Sequence, residues 1–172
     1  MRLISGRHAD LIEPMVKIRP YHSSDAGAVS RVIRTTMRIS NSADYPMERL
    51  QPLIDYFSPE KVDALNRERV CFVAEEAGEV VGTGALEGDE LVTFFVAPHT
   101  QGGGIGSALL RAVEKAACEG GLRRLKVGSS LAGAPFYRRH GYEPTGETLE
   151  GTAGAHIAME KELKPTASAL RA

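Results

Sequence analysis

The chain has 172 residues, 42% of them apolar, and its 21 Lys and Arg against 22 Asp and Glu leave a formal net charge of −1. That suits one domain with a substantial core and gives no general attraction to nucleic acid or anionic lipid, so neither is an expected partner. No run approaches the roughly twenty apolar residues of a membrane span and the opening MRLISGRHADLIEP has no signal-peptide core, which predicts a cytoplasmic protein.

Residues 1–14 have no clear period and are set apart as an N-terminal arm, ahead of a single domain at 15–163 and a tail at 164–172. MVKIRPY alternates Val16 and Ile18 with Lys17 and Arg19 before Pro20 stops it, which predicts a first strand. Ser23, Ser24 and Asp25 offer helix N-caps, and Val29, Val32, Ile33 and Met37 form the buried stripe of the helix behind them. From 40 to 69 the pattern is helical but interrupted. Pro46, Pro52 and Pro59 are each expected in a first helical turn, Ser58-Pro59-Glu60 being the clearest start. VCFVAEE, a turn at Ala77-Gly78 and VVGTGALE read as a hairpin, and Gly88 turns the chain into a third strand, ELVTFFV. Gly82 and Gly84 share one face of the middle strand, where they either admit a ligand or relieve crowding, with the second reading favoured. Cys71 lies in this apolar region and Cys118 near a helix end, and both are expected as free thiols.

The chemistry concentrates at residues 90–117. After the strand ending at Val96, the run APHTQGGGIGS leads into a helix whose Ile105, Leu109, Leu110, Val113 and Ala117 share one face, with Arg111, Glu114, Lys115 and Glu119 opposite. Gly102, Gly103, Gly104 and Gly106 crowd the helix start, where the first backbone N–H groups lack intrahelical partners and no side chain blocks an approaching anion. A diphosphate suits such a turn. A P-loop would need Gly-Lys-Ser/Thr where the chain has Gly104-Ile105-Gly106-Ser107, and a dinucleotide fold would need a helix ahead of the loop where strands are expected. Beyond Gly120-Gly121, a helix stop, LRRLKVGSS reads as a strand with Leu125 and Val127 inward and 129–133 as a loop. A short helix follows from Ala134 to His140, then a strand from Tyr142. GAHIAMEKEL, with Ile157, Met159 and Leu163 inward, is expected as a closing edge strand.

Gln101-x-x-Gly104-x-Gly106 directly after an apolar strand resembles the acyl-CoA pyrophosphate loop, Q/R-x-x-G-x-G/A, of the GNAT superfamily of N-acyltransferases, and FYRRHGY is close to a second signature, A-x-x-F-Y-x-x-x-G-F/Y. The order of elements from Val16 to Leu163 is also similar. The resemblance implies an α+β fold: a mixed antiparallel and parallel sheet of about six to seven strands, flanked by helices and splayed at the acyl-CoA site. It implies an N-acetyltransferase using acetyl-CoA as cosubstrate, an amine acceptor that is a small molecule or a protein amino group, direct transfer in a ternary complex, and a homodimer as the usual assembly. The asparagine many members carry before the alanine of the short helix is replaced by Ala132-Gly133, which puts its polar contact to the pantetheine arm in doubt.

Carried onto this chain, the resemblance implies that Gln101, Gly102, Gly103, Gly104, Ile105, Gly106 and Ser107 hold the pyrophosphate through backbone N–H groups. The open edge near Phe95 and Val96 would pair with the pantetheine arm, and the Val96 N–H would polarise the thioester oxygen. Glu90 is the candidate general base, though it also reads as a solvated carboxylate that joins Glu87 and Asp89 in attracting a cationic amine; Glu75 and Glu76 are weaker candidates. Tyr137 is the candidate acid for the leaving thiolate, expected exposed on the short helix while Phe136 supplies the buried ring. Tyr45, Met47, Tyr56 and Phe57 either touch the acceptor or, as burial habits favour, pack the short helices onto the sheet. Arg111, Arg138 and Arg139 either meet the adenosine phosphates or face water. The five histidines show no metal-ligand spacing and no metal is expected; no part in the reaction is assigned to His140 or His156. The rival readings are a non-catalytic acyl-CoA-binding domain on the same scaffold and a nucleotide-binding protein.

Overall fold

Alternation at the start of the domain becomes strand β1 (Lys17–Pro20), and the helical stripe behind it becomes α1 (Ala26–Ile39), in a computed structural model that describes residues 16–164. The arm assigned to 1–14 and nearly all of the tail lie outside the described residues. α2 (Met47–Tyr56) and α3 (Pro59–Asn66) follow, then the meander β2 (Val70–Glu76), β3 (Glu79–Glu87) and β4 (Glu90–Val96). The central helix α4 (Ile105–Glu119), β5 (Arg124–Ser129), the short α5 (Ala134–Arg139), β6 (Glu143–Glu150) and β7 (Ala155–Glu162) complete the domain. The seven strands form one sheet in the order β1-β2-β3-β4-β5-β7-β6, antiparallel except where β4 meets β5. The expected mixed, helix-flanked α+β sheet is therefore present.

Three hydrophobic clusters hold the helices to the sheet, and in one of them Ile105 and Leu109 of α4 meet Ala74 and Val81. α4 buries Leu110, Val113 and Ala117 against Leu125, Val127, Tyr137, Tyr142 and Met159, while α1 and α2 bury Val29, Ile33, Leu50 and Ile54 against Val73 on the other face. Gly82 and Gly84 serve this packing. A Cβ on Gly82 would come within 2.8 Å of Leu109 and one on Gly84 within 2.8 Å of Phe94, so relief of crowding is what these glycines provide. The hairpin turn at Ala77-Gly78 has φ of 49° and 83°, the pair of left-handed residues that matches strand twist in a two-residue turn.

Several expectations are corrected. Pro46 and Pro59 do flank helix starts, and the Ser58 side chain accepts from the Lys61 N–H. Pro52, however, lies inside α2, where complete burial of Leu50 and Ile54 outweighs the lost backbone bond. Neither Ser23 nor Ser24 caps α1. They sit with Asp25 in a short 3-10 turn, and the Asp25 carboxylate instead receives the Arg19 guanidinium at 2.8 and 2.9 Å and the His22 N–H at 2.8 Å. These bonds hold the Asp25 carboxyl below the usual carboxylate range, Arg19 contributing most. Since the folded-state pKa is lowered, this stabilisation is complete above the unfolded carboxylate pKa and is lost as pH falls through the folded value. Asp25→Ala is expected to lower stability by about 2 kcal/mol at pH 7, read by denaturant unfolding, with the difference from native shrinking in acid.

β7 is not the edge strand. It pairs with β5 on one side and β6 on the other, and β6, exposed along its length and carrying Pro144 and Gly146, is the edge. Alternation marks a strand with one buried face but is silent on whether one or both of its edges are paired. Glu114, read as solvent-facing, is also half-buried: it accepts from the Tyr142 hydroxyl at 3.1 Å and from Lys161 at 2.8 Å.

Candidate active site

β4 and β5 pair only at Glu90 with Lys126 and Leu91 with Val127, after which they part. The separation begins at a bulge. Thr93 has a left-handed φ of 45°, rare for a β-branched residue, and the register against β3 slips between Thr83 and Ala85. Beyond it the Ala97 N–H donates to the Val81 carbonyl at 2.8 Å. Because backbone groups in an antiparallel pair face the partner strand alternately, the Val96 groups face away from β3 and into the gap, whereas those of Phe95, opposite Thr83, face β3. The Val96 carbonyl confirms this direction by accepting from Thr36 Oγ1 at 3.2 Å and Gln101 Nε2 at 3.0 Å. Its N–H is left aimed at the gap. Thr93 Oγ1 is buried there without a protein partner.

The glycine turn lies at the mouth of this gap. Gly102 and Gly104 adopt φ of 84° and 83°, and Gly104 stands as the N-cap of α4 with no side-chain cap. Gly106 is glycine for a different reason, since a Cβ there would come within 3.2 Å of the Phe136 ring. The Gln101 N–H is engaged with the Pro98 carbonyl at 3.4 Å, and the Ala108 N–H makes the first helical bond to Gly104. Between them the N–H groups of Gly102, Gly103, Gly104, Ile105, Gly106 and Ser107 have no acceptor among the described residues. The Ser107 hydroxyl lies 2.9 Å from His140 Nε2, and His140 Nδ1 lies 2.8 Å from the Phe136 carbonyl. A carbonyl only accepts, so in the neutral ring Nδ1 donates to it and Ser107 donates to Nε2, tying α5 to the turn.

A cleft of about 1440 Å³ runs through the gap, larger than a common ligand pocket because it opens on both faces of the sheet. On the α4 face it is lined by the turn, Phe136 and Tyr137. Tyr137 is only 7% exposed and packs on Phe94 and Tyr142, while Phe136 is the partly exposed ring, the reverse of the expected arrangement. The sequence F-Y puts adjacent rings on the helix but leaves open which one the sheet covers. The Tyr137 hydroxyl makes no hydrogen bond to protein, and burial pushes its pKa well up, so it is a protonated donor facing the cleft.

A strand, a phosphate-sized nest of free amides and a split in the sheet have counterparts among known proteins. Residues 41–163, more than half of the chain, match the model of the acetyltransferase (GNAT) domain. The chain belongs to the GNAT acetyltransferase family. It is 29% identical over 108 residues, 60% of this chain and 77% of the relative, to YjcF of Bacillus subtilis (strain 168), described as an uncharacterized N-acetyltransferase. A GCN5-related N-acetyltransferase from Rhodopseudomonas palustris superposes with a TM-score of 0.79 at 26% identity, covering 87% of this chain and 96% of that one. PaiA N-acetyltransferase from Thermoplasma acidophilum, solved in complex with coenzyme A, shares the fold with a TM-score of 0.74 at 20% identity over 86% and 99%. The protein is accordingly an acyltransferase.

In this GNAT domain the opposite face of the gap forms a second half of the cleft, walled by Asp44 ahead of α2, Glu90 on β4, Lys126 and Gly128 on β5, Glu147 on β6 and His156 on β7. Glu90 is exposed at the end where β4 and β5 are still paired. Asp44 accepts the Ala132 N–H at 2.9 Å and so joins the α1–α2 connection to the loop after β5. Tyr45 is buried and Phe57 packs beneath the helices, as burial habits favoured, while Met47 and Tyr56 are exposed away from the cleft. Glu75 is held by Arg19 at 2.8 Å and takes no part in the cleft, and of the three arginines considered only Arg139 lines it. Among the described residues no group of His, Cys, Asp or Glu is arranged to hold a metal, and no helix is long and apolar enough to cross a membrane. Cys71 and Cys118 are free thiols, burial raising the first to about 11. Thr36, Asp44 and Gly128 carried no sequence signal of their own; tertiary contacts bring them to the cleft.

Proposed function

We propose that the protein transfers an acetyl group from acetyl-CoA to a primary amine by direct attack within a ternary complex. The observation that carries this reading is the run of amides without a protein acceptor from Gly102 to Ser107, of which Gly102, Gly104, Gly106 and Ser107 line the gap in the sheet. Several of these N–H groups can meet one diphosphate in charge-assisted bonds of about 1.5–3 kcal/mol each. The pantetheine arm would then follow the unpaired edge of β4, where the Val96 N–H can bond to its amides or to the thioester oxygen.

The acceptor approaches from the Asp44, Glu90 and Glu147 face. An alkylammonium must shed a proton at a penalty of roughly 4–5 kcal/mol at neutral pH before its nitrogen can attack. Glu90, exposed at the mouth, fits the task of drawing the cation in. Glu90→Gln is expected to raise the acceptor KM about three- to tenfold and leave turnover within a factor of about three; turnover slowed by about 100-fold would instead make Glu90 the base. Tyr137 hydrogen-bonds the departing sulfur from the other side.

The test is release of CoA thiol from acetyl-CoA across a panel of primary amines. Tight acetyl-CoA binding with no release over the whole panel would favour a non-catalytic acyl-CoA-binding domain. Stronger thermal stabilisation by ATP or NAD than by CoA would remove the reading altogether.

A further inference from the structure

His156, the second residue of β7, is held in one orientation and one tautomer. Its Nδ1 lies 2.8 Å from the Gly154 carbonyl, which can only accept. Nδ1 therefore carries the proton, and the neutral ring keeps its lone pair on Nε2, for which no protein partner exists among the described residues. The ring stacks on Tyr45 with centroids 5.5 Å apart and planes at 22°, and Tyr45 is fixed by donating its hydroxyl to the Ala155 carbonyl at 3.0 Å. The turn before β7 is shaped around this stack. Gly151 and Gly154 exchange backbone bonds of 3.0 and 3.1 Å. A Cβ on Gly151 would come within 2.9 Å of the imidazole Cε1, and one on Gly154 within 3.1 Å of the Tyr45 ring.

This ring sits on the acceptor half of the cleft. Its diagonal neighbour on β5 is Gly128, whose added Cβ would lie 4.0 Å from the His156 Cβ and 3.4 Å from the side chain of Leu149, the cross-strand partner of His156, so Leu149 is the apolar side chain beside the imidazole on this stretch of the cleft. Tyr45 is the titratable group in contact with the ring. Asp44 beside it, Glu147 and Glu150 on β6, Lys126 on β5 and Glu160 on β7 are the charges on the surrounding elements, Lys126 being paired with Asp89 at 2.7 Å and Glu160 with Arg124 at 3.3 Å.

We propose that His156 is the catalytic base of this acetyltransferase, its Nε2 taking the proton from the acceptor ammonium; the inference rests on the acetyl-transfer reading above. An imidazole ordinarily binds a proton about two pK units more tightly than a carboxylate, so it meets an ammonium proton with roughly 100-fold greater affinity than an ordinary glutamate. The freed nitrogen lone pair forms the C–N bond at the thioester carbonyl and the C–S bond breaks. The second nitrogen proton passes to the departing thiolate, whose developing charge the Tyr137 hydroxyl stabilises by a hydrogen bond, and the imidazolium returns its proton to water through the open cleft.

The native 172-residue chain is assayed with 1,4-diaminobutane, 2-phenylethylamine and lysine amide, and the best acceptor is carried forward. His156→Gln is expected to slow turnover about 30-fold with the acetyl-CoA KM unchanged within twofold, and added imidazole is expected to restore turnover to His156→Ala in proportion to its free-base fraction. The native kcat/KM should fall on an acid limb, as a base that must be unprotonated requires. A Gln variant within threefold of native, or a native profile that stays flat down to about pH 5, overturns the inference and leaves the acetyltransferase standing. The native profile decides the matter even if the variants fold poorly. No thiol release from native protein with any of the three amines overturns the underlying reading and the inference with it.

Discussion

Gly104→Glu is expected to raise the KM for acetyl-CoA by at least about 100-fold while moving the melting temperature by only a few degrees. Two effects combine at this position. Gly104 has a φ of 83°, which a side chain tolerates poorly, and a carboxylate placed there faces the same free amides that would hold a diphosphate. Loss of even two charge-assisted bonds corresponds to about 3 kcal/mol or more, hence the factor. The fold should survive because no protein atom lies within 4 Å of the added Cβ and a carboxylate at a helix N-terminus is itself favourable. Isothermal titration with CoA and thermal melting read the two quantities separately. Near-native CoA affinity in a folded variant would show that the turn does not hold the pyrophosphate.

Tyr137→Phe is expected to slow turnover by about 10- to 100-fold and leave the acetyl-CoA KM nearly unchanged. The ring is already buried by Phe94 and Tyr142, so the substitution keeps the packing and removes only the unpartnered hydroxyl. Burial raises its pKa, and the sign matters: the neutral, donating form is then the only one present throughout the working range. Full proton transfer to a thiolate is uphill, so the hydroxyl helps chiefly as a hydrogen-bond donor to charge developing on sulfur. No alkaline limb of the native pH–rate profile below about pH 10 should vanish in the variant. Turnover equal to native would reduce Tyr137 to a core residue.

The parts of the site built from local chain conformation were legible in the order of residues. Four glycines around the start of an amphipathic helix, with Ile105, Leu109, Leu110, Val113 and Ala117 on its buried face, could form little other than a side-chain-free turn ahead of a packed helix, and the structure has that helix with those five residues buried. The parts that depend on which strand lies beside which were not. The two-sided pairing of β7, the choice of Tyr137 over Phe136 for burial, and the gathering of Asp44, Gly128 and His156 at one cleft arise from contacts between segments far apart in sequence. The two glycines three residues apart just ahead of His156 make room for its ring and for Tyr45, a role set by the tertiary contact and not by the local sequence.

The sequence by itself determined the elements, the glycine turn and membership of a family, because periodicity, turn chemistry and unpaired helix-end amides are local properties that residue types dictate. Tertiary structure alone decided which atoms face the cleft. Parting β4 from β5, burying one ring of an adjacent pair and stacking an imidazole on a distant tyrosine are outcomes of long-range packing, in which the same residue can be core or catalyst depending on what the rest of the chain lays against it.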